Sequence, residues 1–140
     1  MSVKDLEERF GVEIDILKKL GMRWAVLVSL SNFLHSCPPP YEVPQSVDTE
    51  LRLARSMIES GCFSVCEVDC MLTNIERELI PKVFSIDEKS DNRWVHLLGK
   101  AMKGELTSEE VLKLPFIEPI IQECEFMQCI CGKEKKLGIS

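Results

Sequence analysis

The sequence predicts an all-α domain, a single-domain bundle of five or six helices around a central helical hairpin. Three observations carry that expectation. Apolar residues recur three and four positions apart, as in Val47, Leu51, Ala54, Ile58 and again in Val68, Leu72, Ile75, Leu79, which is the period of one helix face. Ser64-x-x-Glu67 and Thr107-x-x-Glu110 have the form of capping boxes, in which each side chain satisfies the other residue's free backbone N–H. The short alternation of Val12, Ile14 and Ile16 with Glu13 and Asp15 has a strand period but meets no partner strand elsewhere in the chain.

Residues 2–10 read as a short helix, with Ser2 as cap, Asp5, Glu7 and Glu8 near its positive end and Gly11 as its stop. Residues 12–16 read as a linker into the next helix, or else that helix is capped at Asp15. The longest apolar helix is expected at about Ile16 to Ser36. Leu17, Leu20, Trp24, Leu27 and Leu34 share one face, and Ala25, Val28 and Phe33 widen it. So broad a face requires burial against two neighbours. Gly21 weakens the early part by ~1 kcal/mol relative to alanine. The run Cys37-Pro38-Pro39-Pro40 stops the helix and favours extended, polyproline-like chain.

The central hairpin spans Val47 to Val83. Ser46 is the expected N-cap of its first helix, Asp48 sits at the positive end of the dipole, and Asp48 and Arg52 are placed for a pair four residues apart. Gly61 suits a left-handed C-terminal cap. The second helix starts at the Ser64 box and is expected to end or kink before Pro81, which has no N–H to donate. At about 100° per residue, Cys66 and Cys70 point away from the Val68 stripe, together with Thr73 and Arg77, and Cys62 lies just before the cap.

A polar connector, Ser85 to Asp91, leads to a helix from about Asn92 to Lys103 whose apolar face is Trp94, Leu97, Leu98, Ala101 and Met102. Gly104 stops it. Thr107 and Glu110 open a short helix closed by Pro115. Pro119 suits the first turn of a last helix. Ile120, Ile121, Cys124, Met127, Gln128 and Cys131 share a side there if the segment is one helix, and Gly132 would end it. The tail from Lys133 onward, KEKKLGIS, reads as frayed and solvated.

With 140 residues, 45% apolar and 29% charged, the chain can build a real core. Its net charge of −6 argues against a general nucleic-acid binder, which needs Lys and Arg to replace phosphate counterions. The opening MSVKDLEERF does not have the form of a signal peptide, and the longest apolar run, Trp24 to Leu30, is too short to span a bilayer. The expected location is cytoplasmic, with no membrane partner. Seven cysteines, an odd number, then point to reduced thiols or metal-bound thiolates rather than a disulfide framework.

YEVPQSVDTELRLARSMIESG resembles the valine-proline, acidic, leucine, alanine-lysine/arginine, isoleucine core of an uncharacterised archaeal family, catalogued as a domain of unknown function. Trp24 and Leu27 are similar to that family's opening helix, and RWVHLLGKAMKGE, with Trp94, Ala101 and Gly104, to a later one. The resemblance covers about residues 22–106; the stretch with Cys124, Cys129 and Cys131 departs from it. It implies a small helical archaeal protein and carries over no activity, ligand or catalytic residue.

Cys62-x3-Cys66-x3-Cys70 and Cys124-x4-Cys129-x-Cys131 are the constellations to weigh. Thiolates bind zinc or iron–sulfur clusters. The candidate ligands are Cys66 and Cys70 with Cys129 and Cys131, brought together by an antiparallel fold. Neither segment has a Cys-x2-Cys spacing, so the competing reading is that Cys124 and Cys131 fill core gaps while Cys66 and Cys70 face another helix or a partner subunit. No lysine or histidine stands beside a cysteine to activate it for redox sensing. His35 is explained by the dipole at its helix C-terminus and His96 by a polar face. Glu76, Glu78, Asp87, Glu88, Glu109 and Glu110 read as helix-start carboxylates. No Glu-x-x-His pair, phosphate loop or nucleophile elbow is found. The leading expectation is a non-enzymatic helical interaction or scaffold protein, self-association included. A cysteine-ligated metal module is the alternative. An enzyme, for which no catalytic residue can be named, and a helix-turn-helix DNA binder, which lacks its Lys/Arg-rich helix, come after these.

Overall fold

The computed structural model describes residues 3–36, 43–86 and 93–130, all-helical apart from turns and caps. Ser2, the Cys37–Pro40 run, the connector from Asp87 through Asn92 and the tail from Cys131 lie outside these residues, while Ser85 and Ile86 end a helix. Eight helices are present among them: α1 (Val3–Phe10), α2 (Ile14–Ser36), α3 (Gln45–Ser60), α4 (Val65–Ile86), α5 (Arg93–Lys103), α6 (Ser108–Leu112), α7 (Ile117–Glu123) and α8 (Glu125–Ile130). The C-terminal part is divided into short pieces.

α2 touches each of the other seven helices. The broad apolar face predicted for it becomes burial on every side. From Leu20 to Leu27 all eight residues are buried, Gly21 included, and each large side chain removed from water contributes about 1.5–3 kcal/mol. The Trp24 indole N–H donates to the Leu51 carbonyl at 2.8 Å, so its one polar atom is satisfied inside the core. Its ring meets Phe126 edge-on, 5.5 Å between centroids. Farther along, Phe33 packs on Trp94 of α5 at the same separation, 5.5 Å. The helix begins at Ile14, two residues earlier than expected. Residues 12–16 are therefore not an extended linker, and Asp15 is inside the first turn rather than at a cap. The Ile14 N–H donates to Glu7 Oε2 at 2.9 Å, so a carboxylate from α1 meets the free donors of α2.

The α3–α4 hairpin packs on α2, and α4 also touches α5. Val47, Leu51, Ala54, Ile58 and Val68, Leu72, Ile75, Leu79 are all buried, as their spacing requires. Ser64 Oγ accepts from the Glu67 N–H at 3.3 Å. Three details differ from expectation. Pro44, not Ser46, holds the N-cap position of α3; proline's fixed φ sets the extended entry, and Ser46 is exposed in the first turn. Asp48 does not pair with Arg52. Its carboxylate is taken by two groups of α2, Ser31 Oγ at 3.0 Å and His35 Nε2 at 3.3 Å. Pro81 neither ends nor breaks α4, which continues to Ile86. Pro81 and Arg77, four residues before it, are both exposed, so the carbonyl that loses its partner there can be hydrated, while the buried Leu79 holds the helix on the core.

Two turns meet backbone to backbone. Gly11 and Gly61 are both left-handed, with φ of 73° and 71°. A Cβ on Gly11 would stand 2.9 Å from the Gly61 carbonyl oxygen, and one on Gly61 only 2.3 Å from that of Arg9. The end of α1 and the hairpin turn are thus in contact at a point with no room for a side chain.

α5 ends in a Schellman arrangement at Gly104, with Gly104 N–H on Ala101 O at 3.0 Å and Glu105 N–H on Lys100 O at 2.8 Å. Met102 is exposed and not part of the buried face, which is Trp94, Leu98 and Ala101. The Thr107–Glu110 capping box is complete. Glu110 also receives Lys100 Nζ at 2.6 Å. That bond, followed by the Thr107 backbone N–H, lowers the carboxyl pKa to about 2. The C-terminal stretch is helical but not one helix. Cys124, at φ −114° and ψ 102°, separates α7 from α8, which lets both Ile121 and Phe126 turn inward.

Gly61→Ala should lower stability by about 3 kcal/mol, since left-handed backbone penalises a Cβ and the clash falls on main chain. Gly99→Ala should do the opposite, raising it by about 0.5–1 kcal/mol, because a Cβ at this helical glycine meets nothing within 4 Å. Urea unfolding of the two variants beside the wild type checks the pair.

Candidate functional site

Three places bring together side chains capable of binding or chemistry. The first is the outer edge of α4. Cys62, Cys66 and Cys70 are all exposed free thiols, the last two as the helical angles predict and Cys62 just before the helix. Asn74 Nδ2 lies 4.0 Å from Cys70 Sγ. Of the proposed metal ligands, the structure therefore puts Cys66 and Cys70 one turn apart on one face. Cys129 is in α8, but its side chain, like the whole of Cys131, lies outside the described residues. Among the described residues no group of three or more His, Cys, Asp or Glu stands where it could hold a metal ion. Cys124 has the core role foreseen for it: it is fully buried. Its S–H donates to Glu59 Oε1 at 3.3 Å. Burial first, and then the Glu59 carboxylate, push its thiol pKa up.

The second place was not foreseen. Arg23 sits in the middle of α2 with its side chain 7% exposed, facing α4. Its Nε donates to Glu76 Oε1 at 3.1 Å, its Nη1 to Asp69 Oδ1, and its Nη2 to Thr73 Oγ1 at 3.2 Å. Glu76 is buried too, mid-helix rather than at a helix start, whereas Asp69 is half in water. A guanidinium in such a site must be neutralised and hydrogen-bonded to remain charged. The signal was present: Arg23 is the charged residue within the run from Leu20 to Leu30, and Asp69, Thr73 and Glu76, spaced four and three, share one side of α4. Each of the three guanidinium nitrogens thus has one partner on α4.

The third place is a groove of about 300 Å³ between α2, α3 and α7. Trp24, Val28, Leu51 and Ile120 give it an apolar floor. Ser31 and His35 of α2 and Asp48, Arg52 and Arg55 of α3 supply its polar lining. A serine, a histidine and an aspartate in contact invite comparison with a hydrolytic triad, but the order is wrong. There the imidazole sits between nucleophile and carboxylate. Here the Asp48 carboxylate is in the middle, and the Ser31 hydroxyl donates its proton to it. His35 and Asp48 are thus a surface pair, and the helix-end reading of His35 gains a partner. Arg55 is anchored by Glu59 Oε1 at 2.9 Å and by the Glu123 carbonyl at 2.7 Å. The Glu59 hydrogen bond raises its pKa further. Arg52 is exposed and makes no hydrogen bond or ion pair with any described residue. His96 is exposed.

No described helix is long and apolar enough to cross a membrane. No family model, curated protein or solved structure matches the chain.

Proposed function

We propose that this chain is a non-enzymatic helical interaction module, and that a second copy of itself is its first partner. Phe116 carries the reading. It connects α6 to α7 in left-handed backbone, with φ 60° and ψ 10°, a conformation that costs a bulky residue about 1–2 kcal/mol. Glycine would make the turn without that cost. Yet the position holds an aromatic that is 50% exposed, between the buried Leu114 and Ile117. Its backbone is pinned, since the Pro115 carbonyl accepts from Ser29 Oγ of α2. Strain retained at an exposed aromatic is typical of binding positions, and rigidly presented aromatics anchor protein interfaces. Leu53 and Met102 are further large apolar side chains in water.

Sedimentation of the wild type over a wide concentration range should show reversible self-association. Phe116→Gly should weaken that association while keeping the fold, with a thermal midpoint equal to or above the wild type. A chain that is monomeric throughout, or a Phe116→Gly variant that associates equally well, contradicts the proposal.

The exposed pair Cys66 and Cys70 favours a second reading, a cysteine-ligated zinc or iron–sulfur module completed by Cys129 and Cys131. One metal ion or cluster per chain in natively purified protein, with a melting temperature that falls on chelation, supports it. Metal-free protein with seven freely titrating thiols after denaturation removes it.

A further inference from the structure

The groove between α2, α3 and α7 has chemistry that the association reading does not use. The geometry points to a binding site for a small carboxylic acid with an apolar body, its carboxylate on Arg52 and its chain on the partly exposed Val28 and Ile120, with the buried Trp24 and Leu51 beneath them. Size is the first consideration. A cavity of about 300 Å³ is at the small end of those that enclose small molecules.

Charge is the second. The chain carries −6 overall, yet α3 brings two arginines to this groove. Its one lining carboxylate, Asp48, is already occupied by Ser31 and His35. Arg55 spends Nε and Nη2 on Glu59 and Glu123. Arg52 is left with its guanidinium uncommitted among the described residues, at the rim of an apolar floor. One free guanidinium matches one carboxylate, which it can hold through two parallel hydrogen bonds. A phosphate dianion would call for more donors than α3 has free here. An alcohol of the same shape would satisfy the floor and leave the arginine as it is.

Trp24 supplies the readout, because its indole lines the groove and its N–H bonds the Leu51 carbonyl of α3. The probe is octanoate, titrated into the labelled protein while the Trp24 indole N–H resonance is followed, with Trp94→Phe used to assign it. Octanol is the uncharged control. Arg52→Gln is the test variant; its side chain is exposed, so circular dichroism should match the wild type. Octanoate should shift the Trp24 signal saturably, octanol should bind more weakly, and Arg52→Gln should weaken octanoate by roughly fivefold or more, the scale of one hydrogen-bonded charge pair at a partly open site. The proposal is overturned if octanoate leaves Trp24 unmoved, if octanol binds as well, or if Arg52→Gln binds as the wild type does. None of these results depends on whether the chain self-associates.

Discussion

A charged residue stands at the centre of the most buried helix of this fold and has to be partnered there. α2 is enclosed by seven other helices, and halfway along it Arg23 must keep its charge out of water. α4 solves the problem with Glu76, Asp69 and Thr73 on one side of the helix. The network fixes more than charge. Apolar stripes can slide or rotate against one another at modest cost, but three directed hydrogen bonds to one planar guanidinium hold at a single rotation and a single axial position of α4 on α2. These bonds favour one register of α4 on α2.

The turns then place the rest. The hairpin can press its turn on the end of α1 because Gly11 and Gly61 meet without side chains. That contact brings α3 across α2 so that Leu51 reaches Trp24, and Asp48 reaches Ser31 and His35. At the other end, Ser29 holds the Pro115 carbonyl and the break at Cys124 returns α8 to the Trp24 ring. The groove floor and the presented Phe116 are therefore both consequences of how segments close on α2. Arg52, Phe116 and the thiols of Cys66 and Cys70 are exposed.

Much of this was legible in the sequence, and the reasons for the rest are specific. Helix faces such as Val68, Leu72, Ile75, Leu79 were readable because a period of three and four has one structural meaning. Gly61, Gly104 and the Thr107 box were readable because caps depend on local backbone chemistry. Pro81 was expected to end or kink its helix, and α4 does not end there, because tertiary burial that no local pattern reveals outweighs the local penalty. Asp48 was assigned to Arg52 by spacing, whereas its partners came from another helix. The Arg23 network was visible in outline, as a lone charge in an apolar run, yet naming its partners required knowing which face of α4 meets α2. The groove had no linear signature, since its walls come from three helices distant in sequence. The thiols of Cys66 and Cys70 face outward as their angles said.

The claim that Arg23 and Glu76 act as one locked pair is tested most directly by a double-mutant cycle in urea, with Arg23→Met, Glu76→Met and the double variant. Arg23→Met leaves the buried Glu76 carboxylate without its partner and should cost about 3 kcal/mol or more; Glu76→Met leaves Arg23 its bonds to Asp69 and Thr73 and should cost less, about 1–3 kcal/mol. The double variant, an apolar pair in an apolar place, should recover most of that loss, a coupling of about 2 kcal/mol. Losses that simply add, or an Arg23→Met variant as stable as the wild type, would contradict the account.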